Sequence, residues 1–465
     1  MKKKILSLIC AAAMTFSLCG GLTGCDNQQK DTEVQTTSTL RVGILSDVHV
    51  GFHSTYQQSD RLEKALLFYK NKGVDAIIIA GDLQEHTNAA LDTQIQWIEE
   101  FTDIWFRVFP DNKNDLTGET VVPLLIYGNH DVGLVKAEYW PERLGEYADA
   151  WIQEIKGYQF VGAHYTKEGT ELAANLVAKA EAASEGKPFF FIQHQPIMNT
   201  VLGESEGLLG TGVPMYDVLR RYNNCVVFSG HTHIPITDER SIWQSNSKKG
   251  AQFTAVNCGT INYGWIKSYT TMEINGVADD TQQGMYMTVD GSIVTLERYS
   301  FYDLELQYEG DKTTINMDDV VSIGQPWVFD ATQIKNKPYD YDTRALMASV
   351  PEFPEGAELE IGAVTSNTVN VFIPAATVDA PEGYSDLIHS YYVEAIDDAT
   401  GEVAATGEVA TEHHVDASQT RLGRDAFISI EGLTPGTSYT IKVYARECYQ
   451  VKSEPLVAQV TTDSE

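Results

Sequence analysis

The chain is poor in basic residues. It has 33 Lys and Arg against 65 Asp and Glu, a formal net charge of −32 at pH 7. Because such a surface repels polyanions, we expect no nucleic-acid groove and no nucleic-acid polymer as a partner. Cysteines are also few, 6 in 465 residues. Beyond residue 25 only Cys225, Cys258 and Cys448 remain, which predicts no disulfide framework but leaves a Cys225–Cys258 pair open.

The apolar run at the N-terminus is too short to span a bilayer. It extends from Ile5 to about Leu18 after three lysines, and it contains Ser, Thr and Cys. A charged segment, a short apolar segment and small residues before a cleavage site are typical of a signal peptide. We therefore predict a signal peptide at residues 1–24 and a polar tether at residues 25–39.

A length of 465 residues and an apolar content of 43% predict two or more packed domains. In the first half, predicted apolar strands repeatedly end in a polar cluster and are followed by a helix, as in an open α/β sheet. Loops beyond the carboxyl ends of such strands form a ligand crevice, so their polar side chains should converge. Those side chains are Asp47, His49, Asp82, Asn129, His130, His194, His231 and His233.

Seven of these eight side chains are more ligands than one metal ion needs. Asp82 has two carboxylate oxygens and can bridge two ions, which gives each ion four protein contacts. One ion would take Asp47, His49, Asp82 and His233, and the other would take Asp82, Asn129, His194 and His231. Two divalent cations exceed the charge of two aspartates, so the site should attract small anions and favour a bridging hydroxide that attacks phosphorus. The eighth residue, His130, is assigned to leaving-group protonation, with Asp131 orienting its ring.

The motifs resemble those of the calcineurin-like metallophosphoesterase superfamily over about residues 40–330. They are Asp47-Val48-His49, Gly81-Asp82, Gly128-Asn129-His130-Asp131, His194 and Gly230-His231-Thr232-His233. The resemblance implies a four-layer αββα fold, a dinuclear centre of Mn, Fe or Zn, and hydrolysis of a small phosphorylated substrate. Glu85 stands where purple acid phosphatases have tyrosine, so the chain looks more like the phosphodiesterase and broad phosphoesterase branches.

The C-terminal part is predicted to be all β. Residues 331–350 look like a linker, and residues 351–465 contain about seven short strands without helical periodicity, which suggests a β-sandwich. The segment 433–445 resembles the E–F corner of immunoglobulin-like fibronectin type III domains, with Tyr439 as the corner tyrosine. The tryptophan usual in that family is missing, and Val369–Ile373 occupies its stretch. We predict that His413-His414 lies at the surface.

The leading functional hypothesis is a cell-surface phosphoesterase. No Arg or Lys adjoins the motifs, which favours phosphodiesters slightly over monoesters. Substrate contacts are predicted for His53, His86, Asn257 and Thr260. The alternative is a non-catalytic adhesion lipoprotein that uses its sandwich domain.

The predicted location is outside the cytoplasm. Leu22-Thr23-Gly24-Cys25 resembles a bacterial lipobox, which implies that Cys25 is lipidated and anchors the protein to the cell membrane. Simple secretion is the alternative. The sandwich domain would then act as a spacer or contact the cell wall or surface.

Overall fold

The computed structural model of the chain describes residues 39–51, 58–85, 88–201, 215–247, 250–267, 274–278, 281–310, 312–411, 413 and 425–464. The predicted signal peptide, Cys25, His53 and His86 lie outside these residues. Within the described residues, no helix combines the length and the apolar character that crossing a bilayer requires.

An α/β domain extends from residue 39 to residue 330. Its strands in chain order are β1 (Leu40–Leu45), β2 (Ala76–Ile79), β3 (Val122–Leu125), β4 (Ala150–Ile155), β5 (Tyr158–Ala163), β6 (Phe189–Ile192), β7 (Cys225–Ser229), β8 (Ile242–Trp243), β9 (Thr254–Asn257), β10 (Gly264–Lys267), β11 (Ile274–Ala278), β12 (Gln283–Asp290), β13 (Ile293–Ser300), β14 (Leu306–Glu309), β15 (Lys312–Ile315), β16 (Val321–Ser322) and β17 (Trp327–Asp330). The α-helices of the described chain are α1 (Gln58–Lys72), α2 (Leu91–Val108), α3 (Lys167–Ala183), α4 (Met215–Leu219) and α5 (Tyr341–Met347).

Two mixed sheets form the centre of the α/β domain. The first has the order β16-β13-β12-β1-β2-β3, with β17 also paired to β13. The second has the order β4-β5-β6-β7-β9-β8. Strands β1, β2 and β3 are parallel, as are β5, β6, β7 and β9, so their carboxyl ends share one edge of each sheet. A tight hairpin at Asp290-Gly291 joins β12 to β13, because Asp290 pairs with Ile293.

The apolar strands have both faces covered. In β2, Ala76 and Ile78 pack into the core between the two sheets, whereas Ile77 and Ile79 pack against α1 and α2. In the second sheet, Phe190 faces the same central core while the flanking phenylalanines pack on the side of α3 and α4. Since successive side chains of a strand point to opposite faces, such continuous apolar runs indicate a doubly covered sheet. The layers are therefore helix, sheet, sheet and helix, and the predicted αββα architecture is confirmed.

The C-terminal domain is an antiparallel β-sandwich. In the described residues its strands are β18 (Glu360–Val364), β19 (Thr368–Ile373), β20 (Ile388–Asp397), β21 (Val403–Ala410), β22 (Ala426–Glu431), β23 (Ser438–Glu447) and β24 (Leu456–Thr461). They form sheets with the orders β18-β19-β22 and β21-β20-β23-β24, which close over one apolar core. Tyr439 is buried, and its hydroxyl accepts a hydrogen bond of 2.9 Å from Thr434 N, as expected for a corner tyrosine.

Buried polar contacts join the sandwich to the α/β domain. Helix α5 lies inside the predicted linker, and its Arg344 forms a fully buried ion pair of 2.7 Å with Asp386 of the sandwich domain. The Tyr449 hydroxyl donates to Glu239 O at 3.1 Å, and Glu239 itself is paired with Arg298 at 2.7 Å. The Tyr449–Glu239 hydrogen bond thus joins the sandwich to the α/β domain directly, and the Arg344–Asp386 pair holds the linker helix on the sandwich without leaving a buried charge unpaired.

Candidate metal centre

The polar residues predicted at five strand ends are brought together at one edge of the two sheets. The loops that carry them are bonded to one another: Asp47 N donates to Gly81 O, and the amides of Val48 and His49 donate to Asp82 O. Several of these residues have positive φ, namely Asp47, His49, Asp82, His231 and His233. Non-glycine residues adopt this conformation at an energetic cost, so its concentration here indicates a functional constraint.

Two glycines allow the close approach of these loops. A Cβ atom on Gly230 would collide with Ser46 and Asp47, and one on Gly128 would collide with Asp82. Any larger residue would push the loop after β7 away from the loop after β1, or the loop after β3 away from the loop after β2. The glycines of the two motifs are thus required by packing at the site.

A first group of possible ligands consists of Asp47, His49, Asp82 and His233, all of them buried. His233 Nε2 lies 3.1 Å from Asp47 Oδ1 and 3.1 Å from His49 Nε2. His49 Nε2 lies 3.7 Å from Asp82 Oδ2. Two imidazole nitrogens that face each other at 3.1 Å need a proton or a cation between or beside them. The donor set therefore fits a metal cation.

A second group consists of Asp82, His194 and His231, so Asp82 belongs to both groups. His194 Nε2 lies 3.0 Å from Asp82 Oδ2 and 2.9 Å from Asn129 Oδ1. The rings of His194 and His231 are 5.1 Å apart. The sharing of Asp82 agrees with the bridging role expected from the sequence, and the two groups are consistent with a dinuclear centre.

In three histidines, a hydrogen bond at Nδ1 orients the ring so that Nε2 faces the possible metal ligands. Nδ1 of His49 lies 2.8 Å from Glu85 Oε2, Nδ1 of His194 lies 2.8 Å from Ala80 O, and Nδ1 of His233 lies 2.8 Å from Tyr263 O. Because each of these oxygens accepts, the hydrogen bonds assign the N–H to Nδ1 in the neutral ring. The Nε2 lone pairs are then left for a cation, the usual arrangement in metal-binding histidines.

Without a cation, the carboxylates hold protons on two of these rings. Burial opposes protonation of His49, but hydrogen bonds to Asp47 and Glu85 and the charge of Asp82 raise its pKa to about 10. Burial is likewise outweighed at His194, where Asp82 raises the pKa to about 9. Burial and the charge of His194 lower the pKa of His231 to about 3. At neutral pH, protons on His49 and His194 thus occupy places that a cation takes.

Metal binding is therefore expected to release protons. A ligating imidazole must be neutral, so each cation displaces the extra proton from His49 or His194, close to two protons per chain at pH 7.5. Affinity for Mn²⁺ should rise as pH rises from 6 towards 9, because fewer protons then compete. Calorimetric titration with Mn²⁺ in PIPES and in Tris, which differ in ionisation enthalpy, measures this release. A proton count of zero, or an affinity that falls as pH rises, would contradict the assignment.

Glu85, and not Asp131, orients the ring of His130. Nδ1 of His130 lies 2.9 Å from Glu85 Oε1, while the other oxygen of Glu85 contacts His49. The Asp131 carboxylate instead accepts from three backbone amides, Leu83 N, Gln84 N and Gly128 N, at 2.8–3.1 Å. It therefore clamps the loops after β2 and β3, and the predicted contact between Asp131 and the His130 ring is corrected. Neighbours in sequence point in different directions, so adjacency misled that expectation.

Asn257 and Thr260 hold the backbone of the centre. Both are fully buried. Asn257 Nδ2 donates to Ile234 O at 2.9 Å, and Asn257 Oδ1 accepts from the Thr232 hydroxyl at 3.2 Å. The Thr260 hydroxyl donates to Asp47 O at 3.2 Å. These contacts give both residues a structural role and correct the expected substrate contacts, whereas His53 and His86 lie outside the described residues.

A second Asp/His group lies at the boundary with the sandwich domain. Asp238, His389 and His413 are buried and place donor atoms within 4.8 Å of one another. Arg240 donates to both Asp238 oxygens, at 2.9 and 2.6 Å, and its Nη2 lies 3.2 Å from His389 Nε2. The guanidinium already supplies a positive charge here, so we assign this group to domain contact. His413 was expected at the surface and is buried; His414 lies outside the described residues.

The sequence of this region matches a known family. Residues 40–235, which carry all seven possible ligands and His130, match the calcineurin-like phosphoesterase family. Residues 40–235 are a calcineurin-like phosphoesterase domain. With its buried Asp/His ligand groups, the phosphoesterase domain makes the chain a hydrolase of phosphate esters of the dinuclear metal class.

Several solved structures are similar to parts of the chain. A dimetal phosphatase from Danio rerio has 11% identity and a TM-score of 0.39, covering 61% of this chain and 98% of that chain. A purple acid phosphatase from yellow lupin has 17% identity and a TM-score of 0.36, covering 57% of this chain and 52% of that chain. A fibronectin type III-like module, the FN5 domain of Drosophila Lar, has 16% identity and a TM-score of 0.15, covering 25% and 99%. No curated protein matches the chain.

Proposed function

We propose that the chain is an exported phosphoesterase that prefers phosphodiesters to phosphomonoesters. One observation carries the proposal: two largely buried ligand groups share a single carboxylate, Asp82. The preference for diesters is supported by the sequence, in which no Arg or Lys adjoins the motifs to neutralise the second charge of a monoester.

The proposed ligands of the two cations are those that the sequence suggested. Asp47, His49, Asp82 and His233 would hold one, and Asp82, Asn129, His194 and His231 would hold the other. When bound, the cations would neutralise phosphate charge and make water acidic enough to supply a hydroxide nucleophile at neutral pH. Their charge exceeds that of the two aspartates, so the centre attracts anionic phosphoesters into an acidic protein.

His130 is the proposed general acid. Its side chain is 28% exposed, whereas those of His49 and His194 are fully buried, so its ring can reach a bound ester. Glu85 accepts the hydrogen bond from Nδ1, which leaves Nε2 to donate a proton to the leaving oxygen. Glu85 also contacts His49, so one buried carboxylate positions both the acid and a proposed metal ligand.

The proposed location is the outer face of the cell membrane. It is supported by the N-terminal sequence, in which Leu22-Thr23-Gly24 precedes Cys25, the proposed lipid-bearing residue. The sandwich domain would then act as a spacer or contact the cell surface. Labelling of cells with a radioactive fatty acid should mark the wild-type protein but not Cys25→Ser; equal labelling of both would contradict the anchor.

The activity is tested on metal-stripped protein reloaded with Mn²⁺, Zn²⁺ or Fe²⁺. We expect no hydrolysis before reloading, and afterwards a higher kcat/KM for bis(p-nitrophenyl) phosphate than for p-nitrophenyl phosphate. The opposite order would show a phosphomonoesterase and refute the proposed preference. Full activity of the stripped protein would refute the metal-dependent mechanism itself.

A further inference from the structure

Two aromatic side chains flank His233 at one side of the metal centre. The Tyr263 ring lies 4.2 Å from the His233 ring and 5.5 Å from the His49 ring, between centroids. The Trp265 ring stacks on the His233 ring at 5.1 Å, with 21° between the planes. His233, itself buried, therefore packs against two aromatic rings.

The two aromatic residues differ in exposure. Tyr263 is 8% exposed and packs against the rings of His233 and His49, while Trp265 is partly exposed. The indole thus packs on His233 without being fully buried. A partly exposed, flat apolar surface next to a polar site is a suitable contact for a ligand.

The position of Trp265 is fixed by its backbone. Trp265 N donates to His233 O at 2.9 Å, and Trp265 pairs with Val277 in the β10–β11 ladder. Because the indole is held by a strand and by a stacked ring, a partner that packs on it loses little additional side-chain freedom.

Trp265 lies close to the proposed metal ligands. Nε2 of His233 points to Asp47 and His49, at 3.1 Å from each. The indole is one ring spacing, 5.1 Å, from that imidazole. The indole is thus about one ring spacing from a proposed metal ligand, close enough for a substituent on the phosphorus of a bound ester to reach it.

We propose that Trp265 determines substrate specificity by stacking on a planar aromatic group, an aryl ring or a nucleobase, in the ester substituent that stays on phosphorus. This inference rests on the proposed function and names the substrate class of the same site. Stacking of a base on an aromatic side chain changes affinity by on the order of tenfold or more, and it needs no particular pattern of hydrogen bonds.

The kinetic test uses three diesters that share the p-nitrophenyl leaving group. Their second substituents are methyl, phenyl and thymidine-5′-yl. Wild type should hydrolyse at least one of the two planar diesters about tenfold better in kcat/KM than the methyl diester. A preference for phenyl alone assigns the site to aryl groups, and a preference for thymidine assigns it to nucleobases.

The Trp265 variants separate specificity from a structural role. Trp265→Ala should lose the preference for planar diesters, so its kcat/KM should fall about tenfold more for a preferred planar diester than for the methyl diester, and Trp265→Phe should keep most of the preference. Tyr308→Ala is a matched control because Tyr308 is 70% exposed on the β14–β15 hairpin. Equal kcat/KM for all three diesters in wild type, or equal losses on all three in Trp265→Ala, would overturn the proposal.

A binding measurement does not depend on turnover. Calorimetry on the metal-loaded full chain should show phenylphosphonate binding about tenfold tighter than methylphosphonate, and Trp265→Ala should bind both alike. If the diesters are not hydrolysed but this difference holds, the proposed diesterase activity fails and the role of Trp265 stands. If phenylphosphonate and methylphosphonate bind wild type equally, the role of Trp265 is refuted.

Discussion

Asp82→Asn is expected to abolish metal-dependent hydrolysis while the protein stays folded. The Asp82 carboxylate belongs to both ligand groups and lies 3.0 Å from His194 and 3.7 Å from His49. An amide carries no charge and bridges two cations poorly, so kcat/KM should fall on the order of 10³-fold or more. The measurement is kcat/KM for bis(p-nitrophenyl) phosphate at saturating Mn²⁺, together with bound metal per chain.

Controls distinguish loss of the centre from loss of the fold. Asp92→Asn makes the same chemical change at an exposed position in the first turn of α2 and should keep wild-type activity. His231→Ala should resemble Asp82→Asn in lost activity and metal content. Wild-type turnover in either variant, with unchanged circular dichroism, is the result that would contradict the ligand assignment.

His130→Asn should reduce kcat while the protein retains its metal. His130 is outside the two ligand groups that share Asp82, and its ring is held by Glu85. Loss of a general acid lowers kcat by about 10²–10⁴-fold, and an ester with a better leaving group should be affected less. Bound Mn²⁺, measured by elemental analysis, should remain at the wild-type amount.

Glu85→Gln tests the contact between Glu85 and His130 by changing the carboxylate instead of the imidazole. A glutamine can still accept one hydrogen bond but has no charge to share between His130 and His49, so activity should fall about 10–100-fold. Glu99→Gln, at an exposed position of α2, is the matched control.

Equal kcat for the His130→Asn variant and wild type on an ester with a poor leaving group would contradict the proposed role of His130, regardless of the result for Glu85→Gln.

The strand ends were predictable because one physical rule places them. Continuous apolar runs such as 75–80 and 188–193 indicate strands covered on both faces, and the carboxyl ends of parallel strands share an edge. Polar residues directly after those runs must therefore meet, and the structure brings them together. The β-sandwich was predicted from short strands, turn residues and the lack of helical periodicity. The four-layer αββα arrangement was implied by the resemblance of the motifs to calcineurin-like phosphoesterases.

Roles that depend on side-chain direction were harder to predict. Asp131 is adjacent to His130 in sequence, yet it binds backbone amides, while Glu85 from another loop holds the ring. The available signal was the position of Glu85, three residues after Asp82, but spacing in a loop does not fix direction. The roles of Asn257 and Thr260 were also not predictable from their positions, because their side chains point to backbone carbonyl groups and hydrogen-bond to them.

Contacts between the domains were the hardest feature to predict from the sequence. The predicted linker contains α5, whose Arg344 is buried against Asp386. His413 lies buried near His389 although its sequence neighbours are polar. Long-range pairing of a few charged residues has no periodicity, so neither contact could be read from local patterns.

The central claim is that side chains from five strand ends hold two cations that share Asp82. Crystals of the full chain grown with Mn²⁺ test it most directly, by anomalous scattering at the manganese edge. We expect two peaks roughly 3.5–4 Å apart, one beside Asp47, His49 and His233 and the other beside Asn129, His194 and His231. No peak at Asp82, or a single ion bound elsewhere in the domain, would contradict the account.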